Sequence, residues 1–107
     1  MELLQYQLVI VNLDPTIGSE VKKTTPCVIV SPNEMNRHLR IVTVCPITST
    51  SKRYPTRLKL MIQRKVNWIM VDQIRSIDVD RIHKIIGKLG EDAIRDLKAI
   101  IKETYVD

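Results

Sequence analysis

Three polar clusters carry the side chains of this chain that could do chemistry. The first holds Ser19, Glu20, Lys22 and Lys23, the second Thr48, Ser49 and Thr50, the third Asp72, Gln73 and Arg75. They offer hydroxyls, carboxylates, an amide and fixed cations. Each lies next to an apolar run, so each reads as a loop. Strand ends of a small barrel converge, and three segments distant in sequence can then line one cleft. Spacing alone also describes three unrelated surface loops, and on spacing alone that plainer account is favoured. Several other chemistries lack their residues. There is no HExxH, no CxxC pair, no GxSxG elbow and no glycine loop to cradle phosphate. His38 and His83 have no patterned partner and read as surface residues. Cys27 and Cys45 sit inside apolar runs and read as packing thiols rather than as a disulfide or metal pair. No metal and no cofactor is expected.

Composition bounds what must position these clusters. The 107 residues fit one domain, expected to span 1–107, and 44% are hydrophobic. Aromatic residues are 4% and Phe is absent, so the core must be aliphatic. No apolar run approaches the ~20 residues that cross a membrane. No basic segment precedes an apolar one at the N-terminus, so no signal peptide and a cytoplasmic location are expected. The net charge is +5, and its distribution is uneven. Acids and bases balance in 1–51 and again in 79–107. The surplus lies in 52–78, where Lys52, Arg53, Arg57, Lys59, Arg64, Lys65 and Arg75 face only Asp72 and Asp78. Such a segment is either a solvated basic hairpin or the footprint of an anionic partner.

Residues 6–13 are rich in β-branched side chains and end at Asp14-Pro15, which predicts a strand. A polar loop follows over 14–25, with Gly18 free to turn. Cys27-Val28-Ile29-Val30 predicts a buried strand over 26–31. Residues 32–36 suggest one helical turn, with the Ser31 hydroxyl as its cap. A strand over 39–45 should stop at Pro46, leaving 47–54 as a loop. Arg57-Leu58-Lys59-Leu60 alternates as a half-buried strand does, and Trp68-Ile69-Met70-Val71 predicts another. Residues 75–78 read as a turn. The segment 79–89 is ambiguous: Ile82, Ile85, Ile86 and Leu89 have helical spacing, but Gly87 interrupts them. After Gly90, the apolar stripe Ala93, Ile94, Leu97, Ile100, Ile101 and Tyr105 predicts a helix. The fold class is mainly β with a C-terminal α-helix, a small curved sheet or barrel covered by that helix.

Taken in order, Leu13-Asp14-Pro15-Thr16-Ile17-Gly18-Ser19-Glu20 and Thr25-Pro26-Cys27-Val28-Ile29-Val30-Ser31-Pro32 closely resemble the opening motif of the MazF/PemK toxins of bacterial toxin–antitoxin systems. Cys45-Pro46-Ile47-Thr48-Ser49, Tyr54-Pro55 and Val71-Asp72-Gln73-Ile74-Arg75-Ser76-Ile77-Asp78 continue the resemblance over nearly the whole chain. It implies an SH3-like barrel of the kind that CcdB, MazF and PemK share, usually a homodimer. It implies a metal-independent endoribonuclease acting on single-stranded RNA, with attack by the ribose 2′-hydroxyl yielding a 2′,3′-cyclic phosphate and a 5′-hydroxyl. It also implies a cognate MazE-like antitoxin, whose acidic tail fills the RNA groove, and no role at a membrane. For 79–89 it implies a turn at 79–81 and a strand near 84–88.

The resemblance also assigns residues. Thr48 matches the threonine that assists at the phosphate. The family's central arginine stands directly before the proline opening the second strand, and here Thr25 holds that place. A hydroxyl can bond phosphate but has no charge and no bidentate grip. Cleavage is therefore expected to be weak or absent, unless Lys22, Lys23, Arg53 or Arg75 supplies the missing charge. Ser19, Glu20, Asp72 and Gln73 match groove positions, with Glu20 and Asp72 suited to base edges. Lys22, Lys23, Ser49 and Arg53 complete the implied substrate-binding set. Two rivals use the same fold: a non-catalytic module binding antitoxin or RNA, and a gyrase poison.

Overall fold

A computed structural model of the chain describes residues 2–13 and 24–107. Its strands are β1 (Gln7–Asn12), β2 (Thr24–Ile29), β3 (Ile41–Thr48), β4 (Arg57–Ile62), β5 (Lys65–Met70), β6 (Arg75–Asp78) and β7 (Ile82–Lys88). Its helices are α1 (Asn33–His38) and α2 (Glu91–Ile101). The sheet runs β4-β5-β3-β2-β1-β7, with β6 paired to β3, and every pairing is antiparallel. It curls into an open half-barrel with α2 against one face.

The aliphatic composition explains the layering. Successive side chains on a strand point to opposite faces. The central strands are apolar at consecutive positions, so they need cover on both sides. Val42 and Val44 of β3, with Cys27 and Ile29 of β2 and Val9 and Val11 of β1, fill one core inside the curl. Cys45 and Ile47 of β3, with Val28, Ile69 and Val71, fill a second core, which α2 closes with Leu97, Ala93, Ile94 and Ile100. Gly90 starts α2, and Glu91 and Asp92 place acidic groups on its first turn, where the helix dipole favours them. Cys27 and Cys45 thus lie on opposite faces of the sheet as free, buried thiols. Among the described residues no helix is long and apolar enough to cross a membrane.

Four sequence expectations need correction. The strand expected to stop at Pro46 continues to Thr48, because Ile47 and Thr48 pair with Ile69 and Trp68 of β5. Pro46 still has an effect. It offers no N–H to a ladder. Between the pairs Ile47↔Ile69 and Val44↔Arg75, the facing chain leaves the sheet in a 3-10 turn at Val71–Gln73. Residues 75–78 are then not a turn but strand β6, resuming along β3 with Ile77 as the residue it buries. The turn at Val79–Arg81 is found where expected, and β7 begins at Ile82 rather than 84. Ser31 does not cap α1. Its hydroxyl instead accepts the Thr43 N–H at 3.0 Å and bonds the buried Asn36, tying the helix to β3.

Candidate active site

The recruitment of β5 by the end of β3 creates a pocket. The start of β2, the end of β3 and the edge of β5 meet there. They border an open, shallow pocket of about 380 Å³ lined by Thr24, Thr25, Pro26, Ile47, Thr48, Ser49, Asn67 and Met70. Two loops distant in sequence are thereby joined, and Thr25 faces the same space as Thr48 and Ser49. Thr25 belongs to β2, opposite Val11 of β1, so sheet register fixes its backbone. Thr48 is held by a local turn: its hydroxyl donates to the Thr50 carbonyl at 3.1 Å and accepts the Thr50 N–H at 3.2 Å. Asn67 donates to the Lys65 carbonyl at 3.2 Å.

The chemistry of this lining is neutral. Four hydroxyls and one amide can hydrogen-bond an anion, but none of these eight side chains ionises near neutral pH. The nearby thiols do not change this. Burial pushes the Cys27 thiol up to about 12, with Arg75 opposing the shift. Burial, then the proximity of Cys27 and Asp72, pushes Cys45 to about 12. Neither supplies a thiolate nucleophile.

Asp72 sits at the 3-10 turn, outside the pocket lining, and both its oxygens are engaged. The Arg57 Nε donates to Oδ1 at 2.8 Å and Nη2 to Oδ2 at 3.0 Å. The Thr56 hydroxyl donates to Oδ1 at 3.0 Å. The hydrogen bond from Arg57 is the main influence that holds the Asp72 carboxyl below its usual range; burial opposes it, and the Thr56 hydroxyl adds a lesser lowering effect. The same guanidinium donates to the Ser51 hydroxyl at 3.0 Å and lies 5.3 Å from the centre of the Tyr54 ring. Backbone bonds add to the clamp, with Val71 N–H to the Thr56 carbonyl at 3.0 Å and Arg57 N–H to the Tyr54 carbonyl at 3.0 Å. Arg57 therefore fastens the basic 51–57 segment to the corner where β5 leaves the sheet.

The structure thus unites Thr25, Thr48 and Ser49. It leaves Asp72 in the clamp and Gln73 and Arg53 exposed outside the pocket lining. Ser19, Glu20, Lys22 and Lys23 lie outside the described residues. Sequence reasoning missed Thr24, Asn67, Met70 and Arg57. The signal for Asn67 was available, as a polar residue inside the run Val66-Asn67-Trp68-Ile69. Arg57 gave none, because its partner is fifteen residues away.

The chain matches the model of the PemK-like, MazF-like toxin of type II toxin–antitoxin systems over residues 4–105. It is 31% identical over 104 residues to Endoribonuclease MazF9 of Mycobacterium tuberculosis H37Rv, covering 86% of each chain. It is 36% identical over 70 residues to Endoribonuclease toxin MazF of Escherichia coli K12, a match that takes in 65% of this chain and 63% of that one. It therefore spans less than two thirds of the Escherichia coli relative. Among solved structures, MazF of Deinococcus radiodurans superposes with a TM-score of 0.81 at 23% identity, over 97% of this chain and 96% of that one. A mycobacterial endoribonuclease in complex with its cognate antitoxin gives 0.80 at 20% identity, over 94% and 92%. At these identities the superpositions establish the fold. With the expected curved sheet and terminal helix in place and a family match from residue 4 to residue 105, this chain belongs to the PemK-like, MazF-like toxin family of type II toxin–antitoxin systems.

Proposed function

We propose that this chain is the toxin partner of a type II toxin–antitoxin pair, a cytoplasmic homodimer built to cut single-stranded RNA but slowed by Thr25. The reaction joins the ribose 2′-oxygen to the adjacent phosphorus and breaks the bond from phosphorus to the 5′-oxygen. A proton must leave the 2′-hydroxyl and another must reach the departing oxygen. Negative charge grows on the phosphoryl oxygens and needs donors fixed in advance. Thr25, Ser49 and Thr48 bring hydroxyls around one pocket, Thr48 by turning its proton from the Thr50 carbonyl to the phosphate, and this convergence is the observation that carries the reading. Thr48 orients the phosphate and Thr25 reaches it without charge. The acidic tail of an antitoxin would compete for the same groove.

The test compares this chain with Thr25→Arg on a long single-stranded RNA. A fixed guanidinium at the head of β2 restores a transition-state donor, worth roughly 100- to 1000-fold in rate. The reading predicts that gain, with 2′,3′-cyclic phosphate ends. A folded Thr25→Arg protein that leaves RNA intact refutes it. The neutral lining of the pocket also supports a second reading, a non-cleaving homologue that binds RNA or an antitoxin tail. That reading predicts tight binding by both proteins and cleavage by neither.

A further inference from the structure

The chain's one tryptophan belongs to neither core. Trp68 pairs with Thr48 across β3 and with Lys59 across β4. Residues directly opposed in an antiparallel ladder share a face, with Cα atoms about 4.5–5.5 Å apart. Thr48, Trp68 and Lys59 therefore form one row across three strands. The next rows on that face are Arg57 with Met70 and Met61 with Val66. The alternate residues Ile47, Ile69, Leu58, Leu60 and Ile62 point the other way, into the second core. The outward face is thus amphipathic. Trp68 is half-buried, Met61 is 58% exposed, Val66 is 39% exposed, and Lys59 is exposed. Arg64 adds charge at the hairpin tip, while Lys65, opposed to Ile62, lies on the other face.

We infer that this face of the β4–β5 hairpin is a stacking platform for single-stranded RNA, with a base lying on the Trp68 indole and Lys59 near the backbone phosphate. Two observations select RNA as the occupant. The first is continuity: the row begins at Thr48, a pocket residue, so a strand leaving the pocket crosses Trp68 next. The second is charge, since the basic surplus of the chain is concentrated in the segment that forms this hairpin. Every base has a π-face, and aromatic groups beside cations on an open sheet suit single strands of any sequence. The inference rests on the RNA-cutting reading above and adds to it a contact outside the pocket.

The single tryptophan makes the test direct, because fluorescence excited at the red edge of the indole band, where tyrosine does not absorb, reports on Trp68 alone. A short single-stranded RNA with 2′-O-methyl riboses blocks cleavage, and an end label gives binding independently by anisotropy. The expected result is quenching of Trp68 that follows the binding curve. Trp68→Ala should weaken binding by roughly 5- to 150-fold, the range for one lost base stack. Trp68→Phe should retain most of the affinity, which separates stacking from misfolding in the alanine variant. Lys59→Gln should lower the salt dependence by about 0.7 in the log–log slope. Normal RNA binding with unchanged emission and an indifferent Trp68→Ala overturns the platform and leaves the proposed function standing. Absence of any RNA binding overturns both. Emission that responds to an acidic peptide but not to RNA, or only to protein dilution, overturns the platform in favour of a protein segment or a second copy on this face.

Discussion

Breaking the Arg57–Asp72 clamp should destabilise the corner of the sheet beside the pocket, in a pH-dependent way. Asp72→Asn keeps the shape of the side chain and removes its charge. The Arg57 side chain is 15% exposed and that of Asp72 34%. The pair is therefore neither a free surface bridge, worth about 0.2–1 kcal/mol, nor a fully buried charge-assisted pair, worth about 1.5–3 kcal/mol per bond. Its two-pronged geometry at 2.8 and 3.0 Å places the coupling at about 1–2 kcal/mol after allowance for solvent on the carboxylate. In a domain of this size that corresponds to a fall in Tm of roughly 5–10 °C. Asp72 has its carboxyl pKa lowered in the folded state. Its contribution is present above the unfolded value of about 4 and is lost as pH falls through the folded one. Arg57 stays charged throughout. The gap between the natural chain and Asp72→Asn should therefore be full at pH 7 and close in acid below about pH 4. Urea denaturation of a double-mutant cycle with Arg57→Met, at neutral and acid pH, measures both effects. A coupling within about 0.3 kcal/mol of zero, the usual noise of additivity, refutes the clamp. So does a gap that does not change with pH. If Asp72 reads bases directly, Asp72→Asn will shift the preferred RNA sequence without loosening the 51–57 segment in hydrogen exchange.

Two further outcomes follow from local geometry. Gln63 and Arg64, at the tip of the β4–β5 hairpin, have φ of 50° and 65°. Left-handed backbone costs an ordinary residue about 1–2 kcal/mol, partly offset by the entropy glycine loses on folding, so replacing the pair by Asn-Gly should raise Tm by about 3–6 °C. A melting temperature that stays level or falls would count against the hairpin turn as described. Burial holds both thiols near 12, so neither Cys27 nor Cys45 should react with an aromatic disulfide at pH 8 in the folded protein, and both should react in denaturant. Fast native labelling of either would contradict their place in the two cores.

The helix and the central strands were legible because one physical rule governs each. The stripe through Leu97 has a single period, and Val9, Val11, Val28 and Val44 are β-branched residues whose burial is near total. β6 was not legible, since burying only Ile77 gives no pattern to detect. The pocket was not legible from spacing either. Thr25 and Thr48 meet because β2 pairs with β3, and strand order is a property of the whole sheet. Pro46 explains more than one of these misses. A proline within a strand run predicts a stop. In a strand with neighbours on both edges, it removes a ladder donor without ending the strand. Facing Cys45 and Pro46, the chain between β5 and β6 leaves the sheet in the 3-10 turn that carries Asp72. That excursion puts the carboxylate within reach of Arg57, and β3 goes on past the proline to Thr48. One missing N–H thus coincides with both the clamp and the extension that forms the pocket. Pro46→Ala should restore the donor but leave the excursion in place if Arg57–Asp72 holds it, and the acid sensitivity of stability in that variant, by the same urea titration, tells the two causes apart.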